Sequence, residues 1–207
     1  MILKDTQQAR DQAAAIIQRG GVIAFRTDTF YGFGVDPFSE TALLALKELK
    51  GREEAKPILV LIADVRDVDR FISQRSALFD RACERYWPGP LTLVGQARKE
   101  LRDELTAATG TIGIRLPGGT AVRDLIRACG GALTGTSANP SGQSAARSAQ
   151  EVKTYFPYGV DLIIDGGDVV VSKPSSVLDL SGDQPRLIRE GAISLKALQA
   201  TLIPAKS

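Results

Sequence analysis

The chain is predicted to fold as an α/β domain, a twisted, mixed, open sheet flanked by helices. Three observations carry this. Apolar residues recur at helical spacing in some segments and run on continuously in others, the two kinds of segment alternate, and 20 glycines and 10 prolines collect in the loops between them. At 207 residues the chain is short for two average domains, so it is read as one domain over 1–203 with 204–207 as a loose tail.

Ala9, Ala13, Ile16 and Ile17 form one face of a helix over 6–19; Gly20 and Gly21 end it, and Val22-Ile23-Ala24-Phe25 reads as a strand. A second helix is expected over 40–49, with Leu43, Leu44 and Leu46 on its apolar side, followed after a charged loop by a buried strand over 58–62. Further helices are expected near 65–72, 76–86, 120–129, 149–156 and 195–202, and further strands near 91–94, 112–115, 132–134, 162–164, 176–180 and 186–189. The loops W-P-G-P, L-P-G-G, S-A-N-P-S-G and D-G-G each adjoin a strand. Loops so placed hold ligands in α/β folds, and they serve equally well as tight turns.

Composition removes several classes of chemistry. With 0 histidines there is no Ser-His-Asp or Cys-His machinery, no H-E-x-x-H zinc site and no imidazole base. Cys83 and Cys129 have no C-x-x-C spacing and are too few for a disulfide framework. No apolar run approaches the roughly 18–20 residues that span a bilayer, and Lys4, Asp5, Arg10, Asp11 and Arg19 interrupt the first turns, so a cytoplasmic protein without membrane attachment is expected. A net charge of +2 does not mark a polyanion binder; RNA contact would need a local patch.

Four segments hold residues suited to a polar ligand. Thr27-Asp28-Thr29-Phe30-Tyr31-Gly32 follows a strand and offers two hydroxyls and a carboxylate, which also suit a capped turn. Lys50-Gly51-Arg52 and Lys56 place cations after a helix, matched to a polyphosphate or, alternatively, to the helix C-terminus. Ser137 and Asn139, with Arg147 beyond, offer donors to phosphate or ribose, or cap the next helix. Arg115 closes the Ile112-Gly113-Ile114-Arg115 strand, and Ser175 and Arg189 come late.

Taken in order, T-D-T-F-Y-G, K-G-R, K-P, W-P-G-P-L-T, R-L-P, S-A-N-P-S-G, S-S-V and L-I-R-E-G extend over 16–193 and together resemble the YrdC family, the threonylcarbamoyl-AMP synthases. The resemblance implies an open α/β fold with a concave positive cavity. It also implies a nucleotidyltransferase that forms L-threonylcarbamoyl-AMP and pyrophosphate from L-threonine, bicarbonate or CO2, and ATP. A partner complex would pass the threonylcarbamoyl group to the adenosine beside the anticodon of tRNA.

Carried over by position, Lys50, Arg52, Ser137 and Asn139 are the active set. Thr29, Arg115, Ser137 and Ser175 would hold threonine, with Arg115 at its carboxylate. Arg52, Lys56, Thr111, Asn139, Arg147 and Arg189 would meet ATP, with Lys50 near the reacting groups. Mg²⁺ would accompany ATP, with no protein-bound metal expected, since no acidic cluster is visible. Arg26 and Leu61 depart from the family, which usually has proline and often histidine there. The short, single-domain form is expected. The rival readings are an RNA-binding or RNA-maturation module on the same fold and a carbamoyltransferase-like domain that uses carbamoyl phosphate.

Overall fold

The computed structural model describes residues 1–51, 57–170 and 173–202. Arg52 and Lys56 therefore lie outside the described residues, as does the tail over 204–207.

The chain begins with a short strand, β1 (Ile2–Lys4), and then α1 (Gln7–Gln18). Thr6 caps α1 by accepting the Ala9 N–H, and Ala9, Ala13, Ile16 and Ile17 are its buried face, as the spacing requires. β2 (Ile23–Arg26) turns back into β3 (Tyr31–Gly34). α2 (Glu40–Lys50) starts on Ser39 and stops at Gly51, which takes the left-handed conformation (φ 58°) that glycine adopts without steric cost. β4 (Val60–Ile62), a 3₁₀ helix (Val65–Arg70), α3 (Ala77–Tyr86) and β5 (Leu91–Gln96) follow. Next come α4 (Asp103–Thr106), β6 (Thr111–Arg115), α5 (Thr120–Ala128), β7 (Ala132–Thr134) and β8 (Thr136–Ser137). The chain continues with α6 (Ala149–Tyr155), β9 (Leu162–Asp165), β10 (Ser176–Asp179), β11 (Arg186–Arg189) and α7 (Leu195–Leu202).

The α/β class and the mixed pairing agree with expectation, but the strands divide between two sheets instead of forming one. The first runs β1-β9-β2-β3-β8 and the second β11-β10-β5-β6-β4-β7, each combining parallel and antiparallel neighbours. The segment 132–137 passes from the second sheet into the first: β7 pairs with β4 and β8 with β3. Gly135 is the changeover. Its N–H donates to Leu59 O at 2.7 Å, and a Cβ there would stand 2.6 Å from Leu61 Cγ, so only glycine fits between the two pairings.

β10 and β11 pair with a bulge. Val177 faces Arg189 while Leu178 faces Leu187, so Ile188 is the extra residue on β11. One apolar cluster gathers Phe33, Leu43, Leu46, Phe71, Phe79 and Ile114; a second, beneath α1 and α5, gathers Ile16, Phe25, Ile126 and Leu133. Among the described residues no helix is long and apolar enough to cross a membrane.

Candidate active site

A cavity of about 520 Å³ opens between the β2–β3 turn, the changeover segment and one face of the second sheet. Strand alternation builds its floor. Thr92 and Val94 on β5, Thr111, Gly113 and Arg115 on β6, and Ser175, Val177 and Asp179 along β10 all face it at a spacing of two. The floor is therefore polar at both ends and aliphatic between them. The opposite wall is the turn itself, where the Thr27 hydroxyl accepts the N–H groups of Thr29 (3.1 Å) and Phe30 (3.2 Å) and donates to Phe30 O (2.7 Å). The capped turn and the ligand-facing loop are thus one object, since Thr27 and Thr29 both line the cavity.

Arg115, 2% exposed, dominates one end. Its Nε donates to Gly89 O at 3.1 Å, its Nη1 to Thr29 Oγ1 at 3.1 Å, and its Nη2 to Asp28 Oδ1 in an ion pair. Beside it, Arg189 donates through Nε (3.1 Å) and Nη2 (2.9 Å) to Ser175 O, and the Ser175 and Thr92 hydroxyls meet at 3.0 Å. Much of Arg189 is open to solvent, yet partial burial of its guanidinium and the nearby Arg115 charge pull it below its ordinary value. Two guanidinium groups that weigh on each other in one cavity make a place for an anion.

The far end is closed by Asp179, which accepts from Ser181 Oγ (2.6 Å) and pairs with Arg186 (2.9 Å). Burial pushes this carboxyl up, and the Ser181 and Arg186 donors outweigh it, leaving it below its ordinary value. Because of the bulge, Arg186, Ile188 and Arg189 all line the cavity; an unbroken strand would turn Arg189 away.

Behind the changeover segment, Lys50 is 7% exposed and donates to Ser137 O and Asn139 O, both at 2.6 Å, and to Asn139 Oδ1 at 3.3 Å. Ser137 Oγ donates to the same Oδ1 at 2.6 Å, and Asn139 Nδ2 donates to Gln143 O at 2.6 Å.

Of the residues singled out from sequence, Thr29, Thr111, Arg115, Ser137, Ser175 and Arg189 line the cavity. Lys50 and Asn139 do not; they shape the loop that presents Ser137. Arg147 is exposed and off the lining, beside the reciprocal cap of α6, where Ser148 accepts the Glu151 N–H and Glu151 accepts that of Arg147. Thr92, Asp179 and Arg186 were assigned no role from sequence. Alternation from Ser175 would have pointed to Asp179, but nothing local places Thr92 or Arg186 on the cavity.

A family model for Sua5/YciO/YrdC, described as telomere recombination, matches residues 15–191. The chain is 38% identical over 180 residues to the mouse threonylcarbamoyl-AMP synthase, covering 84% of this chain and 63% of that protein. It is 33% identical over 167 residues to the threonylcarbamoyl-AMP synthase of Halorhodospira halophila, covering 81% and 87%. Its fold matches the crystal structure of P. abyssi Sua5 complexed with L-threonine at a TM-score of 0.91 and 29% identity, over 98% of this chain and 59% of that one. The chain thus spans less than two thirds of the length of the mouse and P. abyssi proteins. With the matched stretch running from within α1 to the glycine after β11, the chain belongs to the Sua5/YciO/YrdC family.

Proposed function

We propose that this chain is an L-threonylcarbamoyladenylate synthase, a nucleotidyltransferase acting on L-threonine, bicarbonate or CO2, and ATP. The observation that carries the reading is the paired Arg115 and Arg189 at a hydroxyl-lined end of the cavity. A relative of the same fold is described as complexed with L-threonine.

In this reading Arg115 receives the threonine carboxylate, and Thr29, Ser137 and Ser175 surround the rest of the amino acid. The threonine amine adds to CO2 and loses a proton, giving a carbamate. A carbamate oxygen then forms a bond to the α-phosphorus of ATP as the bond to the β-phosphate oxygen breaks and pyrophosphate leaves. The nucleophile is already anionic, so orientation and charge neutralisation are needed more than a base, and the lack of histidine is no obstacle. Arg189 and Thr111, with Arg147 at the margin and Arg52 and Lys56 from the charged loop, would meet the nucleotide. Lys50 and Asn139 hold Ser137 in place.

Mg²⁺ enters as part of the MgATP substrate. Asp28 and Asp179 already hold Arg115 and Arg186, and among the described residues no group of three or more candidate ligands gathers, so the phosphates would carry the ion. The product would be consumed in the cytoplasm by a partner complex that modifies tRNA adenosine.

The test is pyrophosphate release from MgATP by the purified protein. Release that requires both L-threonine and bicarbonate supports the proposal. Turnover with carbamoyl phosphate alone would favour the carbamoyltransferase-like reading, and silence with every substrate would favour the RNA-binding module.

A further inference from the structure

The guanidinium of Arg115 is held on three sides by two loops: by Gly89 O before β5, and by Thr29 Oγ1 and the Asp28 carboxylate of the β2–β3 turn. Asp28 spends its second oxygen on the backbone of the strand end, accepting the Gly118 N–H at 3.1 Å. Arg115 and Thr29 line the cavity, whereas Asp28 stands behind them. A guanidinium has five N–H groups. The three bonds leave one N–H on each Nη for a further acceptor.

We propose that Asp28 is a positioning residue for Arg115, fixing the orientation in which the guanidinium meets a carboxylate in the cavity. The choice of side chain follows from the bonds. Both Asp28 oxygens act as acceptors, one toward Arg115 and one toward Gly118 N–H, and an asparagine amide offers only one acceptor. Its NH2 end would face a donor on one side or the other. Asp28 also sets the charge: with Arg115 neutralised by its partner, Arg189 leaves this end with one net positive charge, suited to a monocarboxylate. A long side chain fixed before its ligand arrives forfeits no rotamer freedom on binding.

The inference rests on the reading that Arg115 takes the carboxylate of threonine, and the experiment separates the two. Asp28→Asn, close in size, is the main variant, and Asp28→Ala the second. One readout is the guanidinium nitrogen spectrum of Arg115 in the full-length protein, assigned with Arg115→Lys. Distinct, slowly exchanging Nη signals are expected in the parent and their collapse in Asp28→Asn. The other readout is steady-state kinetics. The threonine KM is expected to rise about tenfold while the ATP KM and the kcat at saturating threonine stay within about twofold. A merely structural carboxylate would lower the melting temperature and the active fraction without moving the threonine KM.

Unchanged Nη signals in both variants would overturn the proposal whatever the kinetics. Freed rotation with an unchanged threonine KM would uphold Asp28 as the residue that orients Arg115 and overturn the threonine assignment instead.

Discussion

Lys50, the last residue of α2, reaches the backbone carbonyls of Ser137 and Asn139 with a single ammonium, each at 2.6 Å. A lysine near a helix C-terminus ordinarily satisfies that helix's own carbonyls. Here it ties α2 to the loop on the opposite side of the cavity wall.

Lys50→Met is therefore expected to lose stability as well as activity. Hydrogen bonds to a charged group are each worth about 1.5–3 kcal/mol, and buried carbonyls left without a donor add to the loss. A drop of about 2–4 kcal/mol in urea unfolding is expected, together with a fall in pyrophosphate release of about a hundredfold or more. Full stability with lost activity would mean that Lys50 acts on the reactants instead of on the loop.

Arg115→Lys should weaken threonine chiefly. A single ammonium cannot reproduce bonds in three fixed directions and still offer two hydrogens to a ligand. Threonine affinity by calorimetry is expected to fall about 10–100-fold with ATP affinity near the parent value. Arg115→Ala would add a stability loss approaching the roughly 3–5 kcal/mol seen when one member of a buried pair is removed, reduced here because Asp28 keeps a path to solvent.

Two glycines should respond in opposite ways. A Cβ at Gly191 would stand 2.3 Å from Pro174 O and 2.7 Å from Ser175 C, backbone atoms that cannot step aside without carrying Ser175 with them. Gly191→Ala is expected to cost about 3 kcal/mol or more in urea unfolding. At Gly113 the nearest atom would be Thr92 Cγ2 at 3.4 Å, an ordinary contact. Gly113→Ala should leave stability within about 0.5 kcal/mol and raise a substrate KM, because its methyl group enters the cavity between Val94 and Leu59.

Alkaline pH should find the buried Cys83 and the half-buried Cys129. Burial, and after it the Asp80 charge, pushes Cys83 from 9.0 up to about 12; burial does the same to Cys129. In the unfolded chain these thiols ionise near their ordinary value. Their folded-state pKa is raised, so the stability they contribute is whole below about 9 and is lost as pH climbs toward about 12. Tyr31, raised by burial to about 12, adds a loss above about 10. Urea midpoints measured from pH 8 to 11 should decline, and Cys83→Ala should flatten the decline. Native protein at pH 8 should react slowly with a thiol-specific disulfide reagent.

The sequence was most readable where periodicity was long. α1 and its buried face, α2, α3 and α5 followed from spacing, and the strands at 91–96 and 111–115 from apolar runs. Short elements left no such pattern: β1 has three residues, β8 two and α4 four. β3 was hidden because Gly32 and Gly34 break its alternation, so a strand was read as part of a ligand loop. The segment near 65–72 showed helical spacing but forms a 3₁₀ helix over Val65–Arg70.

In the site, hydroxyl and guanidinium residues at strand ends could be named one by one, but their partners could not. Asp28 and Arg115 stand 87 positions apart, and Lys50 stands 87 from Ser137. Only the sheet pairings bring these residues together. Likewise nothing local to Lys50 foretells that its ammonium meets the carbonyls of Ser137 and Asn139.

The extra residue in β11 makes the cavity sensitive to chain length as well as to residue identity. Deleting Ile188 would leave net charge untouched and return β11 to strict alternation with Arg186 and Arg189 two positions apart, so both cations would keep the cavity face while the apolar side chain between them was lost. A scan that replaces side chains one at a time would never sample this change. A one-residue deletion would remove the Ile188 side chain and the local kink together, keeping Arg189 opposite Val177 and Arg186 opposite Asp179, without a single substitution.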